Sequence, residues 1–204
     1  MKPFKILFPI LTVLSVFALS FTNPSNGGGT SGTVKVNTKT SKLAWKAYKV
    51  TGAHEGFIQI KDGSLQFADG VLTGGNFVID MTTITCTDLE GEWNQKLVGH
   101  IKSDDFFGVE SHPTAKFVIT KAIPYGTPGS YKIVGDLTIK GKTNQIKFNA
   151  NVKDSNGAVN AEAKIVVDRS DYDVRYGSGS FFDSLGDKTI YDEFDLTVNL
   201  VAGK

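Results

Sequence analysis

Apolar and polar residues alternate along almost the whole chain, and turn-forming residues separate the alternating runs. Strict alternation puts every second side chain on the same face of a strand, so each run builds antiparallel sheet with one apolar and one wet face. Leu43, Trp45 and Ala47 alternate with Lys42, Lys46 and Tyr48, while Ala115, Phe117 and Ile119 alternate with Lys116 and Thr120. Val34 and Val36, Phe57 to Ile60, Leu65 and Phe67, and Phe77 and Ile79 form further runs. Tyr131, Ile133, Leu137 and Ile139 share a face; so do Ile146, Phe148, Ala150 and Val152; so do Ala163, Ile165 and Val167; so do Phe194, Leu196, Val198 and Leu200. Hairpin turns are expected at Asp62-Gly63, Asp69-Gly70, residues 124–129 (PYGTPG) and Asn156-Gly157. About eight to ten strands of this kind would leave exposed edges in an open sheet, and closing the sheet removes them. The expected fold is therefore all-β, an antiparallel barrel of about eight strands with one or two short helices.

Two stretches break the alternation. Residues 87–90 (TDLE) have the form of a capping box, and Leu89, Trp93 and Leu97 follow at a spacing of four, the stripe of a short helix. Residues 103–107 (SDDFF) begin with an N-cap type and two acids, which suits one helical turn. Residues 169–188 are long, aromatic and rich in Gly, Ser and Asp; a loop of this length in a compact domain is expected to cover something. Within it, Arg169 is expected to pair with a neighbouring Asp and hold the crossover.

The first 20 residues read as a secretory signal peptide. Lys2 and Lys5 precede an apolar run, and Ala18-Leu19-Ser20 has small-x-small form. Residues 21–32, with the run NPSNGGGTSG, read as a flexible leader, and residues 33–202 as one domain. No Cys follows the apolar run to carry a lipid anchor, so a periplasmic or secreted location is expected. Removing two Lys turns a net charge of +1 into −1, which leaves no broad basic field for nucleic acid.

Catalytic signals are sparse. A single Cys excludes an internal disulfide and a Cys-based zinc or iron–sulfur site. His54, His100 and His112 lack metal-ligand spacing, so no metal is expected. Neither a nucleophile elbow nor a phosphate-binding Gly loop is present. His100 beside Asp104 and Asp105 is the one His–carboxylate candidate for an enzyme acting on a small apolar substrate. What stands out instead is apolar content, 14 Phe with 22 Gly. Those rings either fill the barrel, making an interaction or stress-response module, or line a cavity for an apolar ligand.

Residues 96–107 (KLVGHIKSDDFF) resemble the signature of YceI-like proteins. Residues 113–120 (PTAKFVIT), 135–143 (GDLTIKGKT), 168–172 (DRSDY), 175–178 (RYGS) and 52–56 (GAHEG) are similar to further family motifs in the same order. Gly108 stands where many members have Asp or Asn, and Asp173-Val174 where Gly-Ile is usual. The resemblance implies a lipocalin-like barrel whose interior holds an isoprenoid-type lipid, such as a quinone or alcohol, with no catalytic triad and no other cofactor. On that reading the ligand-lining residues are Trp45, Phe57, Phe67, Phe77, Phe117, Ile133, Leu137, Phe148, Ile165 and Phe194. His100, Arg169 and Asp171 are expected to fix loops at the rim. The expected partners are an apolar lipid and, transiently, a membrane, with the protein a monomer or homodimer.

Overall fold

The computed structural model describes residues 29–155 and 157–203. The expected signal peptide and most of the expected leader lie outside them. The leader's described end is tied down: Thr30 donates to the Asp154 carboxylate through its backbone N–H (2.9 Å) and its hydroxyl (2.8 Å).

Among the described residues nine antiparallel strands follow in order: β1 (Gly32–Lys35), β2 (Lys42–Lys49), β3 (Gly52–Ala68), β4 (Val71–Asp80), β5 (Thr114–Pro124), β6 (Ser130–Ile139), β7 (Lys142–Ser155), β8 (Ala158–Asp168) and β9 (Ile190–Gly203). Neighbouring strands pair from β4 through β9 and on to β2 and β3, and a β3–β4 ladder closes the ring. β1 and β2 act as one broken stave between β3 and β9. β1 pairs with the far half of β3, and Val36 bridges to Ala202 of β9. The break is a turn held by Asn37, whose side-chain oxygen accepts from the N–H groups of Lys39 and Thr40. The Ser41 hydroxyl then exchanges hydrogen bonds with Val201, mending the β9 ladder where the stave is interrupted. The result is the closed eight-stave barrel expected from the alternation, with one α-helix among the described residues, α1 (Gly91–Lys102).

Asp69-Gly70 forms the β3–β4 turn, with φ values of 50° and 80° that suit an Asp-Gly type I′ hairpin. Asp62-Gly63 does not turn. β3 runs straight through it with a bulge between Ile60 and Asp62. Gly63 is there for space: a Cβ would lie 2.9 Å from the Phe77 ring and 3.0 Å from Val36. The bulge adds one residue and reverses which parity faces inward. Ile58 and Ile60 point in before it, and Leu65 and Phe67 after it.

The capping box also fails. The Thr87 hydroxyl donates to Glu55 O, Asp88 accepts from the Glu55 N–H, and Glu90 at the N-cap makes no side-chain cap. These groups are drawn to the open lower edge of β3, which residues 83–88 seal: Thr85 N–H donates to Phe57 O and Thr87 N–H to Glu55 O, both at 2.9 Å. Trp93 of the expected helical stripe is 71% exposed, whereas Ile101 packs on the core. Residues 103–107 form hydrogen-bonded turns, not a helix.

The upper end of the barrel, beside the β3–β4 and β7–β8 turns, is packed solid. Leu65, Phe67, Leu72, Val159 and Ala202 are all buried there, and the Leu72 N–H donates across to the Tyr131 hydroxyl at 3.1 Å. The lower end is covered by Ile101 at the end of α1, by Phe106 and Phe107 after it, and by Arg169 of the long β8–β9 connection.

Candidate functional site

Two apolar cavities lie inside the barrel below the packed end. The upper one is about 110 Å³ and the lower about 140 Å³. Leu43, Ile79, Leu137 and Leu196 border both and form a waist between them. Glu162 is the only ionisable residue on the upper lining and Arg169 the only basic one on the lower. Phe117 crosses the upper cavity between Phe77 and Phe148, with ring centroids 6.2 and 5.5 Å away. Its ring overhangs Gly135, where any Cβ would overlap it.

Eight of the ten expected lining residues border a cavity: Phe77, Phe117, Ile133, Phe148 and Ile165 the upper, Trp45 and Phe194 the lower, and Leu137 both. Phe67 is buried but belongs to the packed upper end. Phe57 is a correction: it points outward and is 47% exposed, because the Ile60–Asp62 bulge gives it the opposite parity to inward Phe67. Trp45 also donates its indole N–H to Thr85 O at 3.0 Å, across Gly56. The waist residues Leu43, Ile79 and Leu196 lie on the apolar strand faces read from sequence but outside the expected lining set; Ile101, Phe106 and Phe107 on the lower lining also fall outside that set. The adjacent Phe106-Phe107 pair, inside the SDDFF run, was the available signal.

Arg169 anchors the floor. It is 4% exposed and donates to Val174 O (2.7 Å), Ile190 O (3.0 Å) and Tyr191 O (3.2 Å), and it pairs with Asp192 at 3.1 Å. The expected pairing with a sequence neighbour is thus replaced by one 23 residues away. Asp168 instead caps the Ser170 N–H, and Asp171 reaches the barrel through its carbonyl, which accepts from Asn144. Burial lowers the guanidinium pKa, and the charges of Asp192 and Asp168 oppose that. Two buried polar atoms here lack a hydrogen-bond partner: Asp192 Oδ1, which meets Arg169 as an ion pair, and the Tyr172 hydroxyl, which burial and then the Asp171 charge push up to about 12.

His100 packs edge-on against Phe106 and Tyr176 and lies 3.4 Å from Asp105. Asp105 is 64% exposed and neither residue borders the two cavities, so the His–carboxylate pair faces away from the apolar interior. Asp104 does not join it; its carbonyl accepts from Lys140. A second polar cluster lies at the β3 edge, where Asp88 accepts from the Glu55 N–H, His54 and the Cys86 thiol. Burial favours the neutral acid, but those three hydrogen bonds outweigh it and hold Asp88 at about 2. Burial, and next the Asp88 contact, raise the Cys86 thiol, the opposite of an activated nucleophile. Among the described residues no group of three or more His, Cys, Asp or Glu is arranged to hold a metal.

A closed antiparallel barrel with a dry, apolar interior defines a class of small binding barrels. The chain belongs to the YceI-like domain family, whose model matches residues 34–202. A UPF0312 protein of Vibrio cholerae (strain ATCC 39541) is 28% identical over 103 residues, covering 48% of this chain and 52% of that protein. The match thus spans about half the length of that curated relative. Among solved structures, BcnA of Burkholderia cenocepacia superposes with a TM-score of 0.67 at 22% identity, over 81% of this chain and 98% of that one. A polyisoprenoid binding domain from Saccharophagus degradans, implicated in plant cell wall breakdown, superposes with a TM-score of 0.61 at 14% identity, over 83% and 97%.

Proposed function

We propose that this protein is a non-catalytic carrier that holds one polyisoprenoid-type chain, of a quinone or an alcohol, along the two cavities. The observation that carries the reading is the apolar void, together about 250 Å³. At about 24 cal/mol per Å³, leaving that volume empty costs on the order of 6 kcal/mol, a large share of a domain's roughly 5–15 kcal/mol stability. A chain that enters recovers that cost and contributes about 0.8 kcal/mol per buried CH₂. The Saccharophagus neighbour, described as polyisoprenoid binding, supports the ligand class. We assign residues 1–20 to export, which N-terminal sequencing of the protein from cell fractions tests. Exposed Val50, Trp93, Tyr176, Phe181, Phe182 and Tyr191 at the lower end suit transient contact with a bilayer interface. The direct test is native mass spectrometry of the purified protein with extraction of bound lipid. The expected result is a co-purified isoprenoid, or one loaded from vesicles. Neither being found would overturn the reading.

A further inference from the structure

A chain held in these cavities needs a way in, and neither end of the barrel supplies one. The upper end is packed, and the lower end is covered by Ile101 at the end of α1, by Phe106 and Phe107, and by the connection that Arg169 anchors. The wall, however, is not continuous. The β7–β8 ladder runs only from Ser155↔Ala158 to Ala150↔Ala163. Below that rung both strands go on, β7 paired with β6 down to Lys142 and β8 paired with β9 down to Asp168, with no ladder between them. On β7 burial changes at the same boundary, while on β8 Ile165 and Val167 stay buried below it. Inward-facing Ala150 and Val152 are buried, whereas Phe148 and Ile146, just below, are only partly buried. All four line the upper cavity, as do Ala163 and Ile165 on the opposite edge.

The barrel's other unladdered stretches are closed. Residues 83–88 seal the lower edge of β3. Upper β4 and β5 also part above Gly75↔Ile119, but there Leu72 is 2% exposed and the Tyr131 hydroxyl spans the gap to its N–H. Leu72 and Ile119 beside that gap also border the upper cavity, so what sets the lower β7–β8 split apart is that, among the described residues, neither a sealing segment nor a side chain bonds across it above Asn144. At its bottom, the Asn144 side-chain amide donates to Asp171 O at 2.9 Å, tying β7 to the segment that follows β8.

Resting on the carrier reading above, we propose that this split is a lateral portal for the apolar chain, latched at its base by Asn144. The chain slides in sideways between Phe148 and Ile165, so its polar head never crosses the barrel. Unpaired strand edges normally invite pairing with other chains; here the gap is kept because pairing it would shut the route.

The test uses Lys147→Cys/Val166→Cys, two outward positions that the extended register sets opposite each other, in a Cys86→Ser background. Joining them with a short bis-maleimide staples the split. A control staple joins Ile123→Cys to Lys132→Cys, which are paired on β5 and β6. Uptake of an isoprenoid quinone from phosphatidylcholine vesicles is followed in time, and final occupancy is read by native mass spectrometry. The portal staple is expected to slow uptake tenfold or more with final occupancy unchanged, while the control staple has no effect. Asn144→Ala is expected to speed uptake several-fold. Equal uptake with and without the portal staple overturns the portal, and an unchanged rate in Asn144→Ala overturns the latch. If even unstapled protein takes up no quinone, the carrier reading itself fails and the portal falls with it.

Discussion

Replacing Arg169 with Met keeps most of the side-chain volume and removes every donor. The wild-type guanidinium serves three carbonyls, those of Val174, Ile190 and Tyr191, and the Asp192 carboxylate. With the residue 4% exposed, water cannot replace those bonds without entering the floor. Hydrogen bonds from a charged group contribute about 1.5–3 kcal/mol each, and truncating one partner of a buried pair costs about 3–5 kcal/mol. The contributions share one side chain and do not add, so the expected loss is about 4 kcal/mol.

Urea denaturation followed by Trp fluorescence gives this number directly, and an unchanged slope would show that the loss belongs to the folded state. A cycle with Asp192→Asn sharpens it, because Asn can still accept from the Ser180 hydroxyl that bonds Asp192 at 2.6 Å. The double variant is expected to lose at least about 1 kcal/mol less than the two singles together. Amide exchange is expected to quicken across residues 170–190 and to stay slow in the β3–β4 ladder. A loss below about 1 kcal/mol, or strict additivity, would refute the assignment of Arg169 as the anchor of this connection.

Leu137→Trp puts an indole into the waist and is expected to lower quinone occupancy at least tenfold by native mass spectrometry, at about 1–3 kcal/mol of overpacking; outward Phe57→Ala leaves occupancy unchanged. Tyr172→Phe removes a buried hydroxyl without a partner and is expected to stabilise the fold by about 1 kcal/mol in urea, whereas a loss of that size would mean the hydroxyl is bonded. Asp88 titrates in the folded state at about 2, below its ordinary 3.8. Its contribution is therefore full above pH 4 and lost as the pH falls towards 2, by the linkage of folding to proton uptake. At 28% exposure that amounts to about 1–2 kcal/mol, and Asp88→Asn is expected to remove this part of the acid-side slope in denaturation from pH 5 to 2.

Alternation alone locates the staves, because inward and outward positions obey one local rule that each strand repeats. It fails wherever the rule is reset by something distant. Asp-Gly occurs at 62–63 and again at 69–70, with the same local chemistry. At the second site both residues take positive φ and the chain reverses; at the first the chain runs on, and the glycine answers to Val36 and Phe77 arriving from other strands. Phe57 and Phe67 share parity in sequence and lie on opposite sides of the wall for that reason. Arg169 likewise has acids on either side and pairs with neither, since the partner that fixes the loop must come from its far end. The excess of Phe and the excess of Gly, which read separately as strand and turn signals, meet inside the barrel. Phe77 lies against Gly63 and Phe117 over Gly135. At both places a Cβ would collide with the ring, so the glycines decide where Phe77 and Phe117 can lie inside the barrel, and larger residues there would push the rings elsewhere.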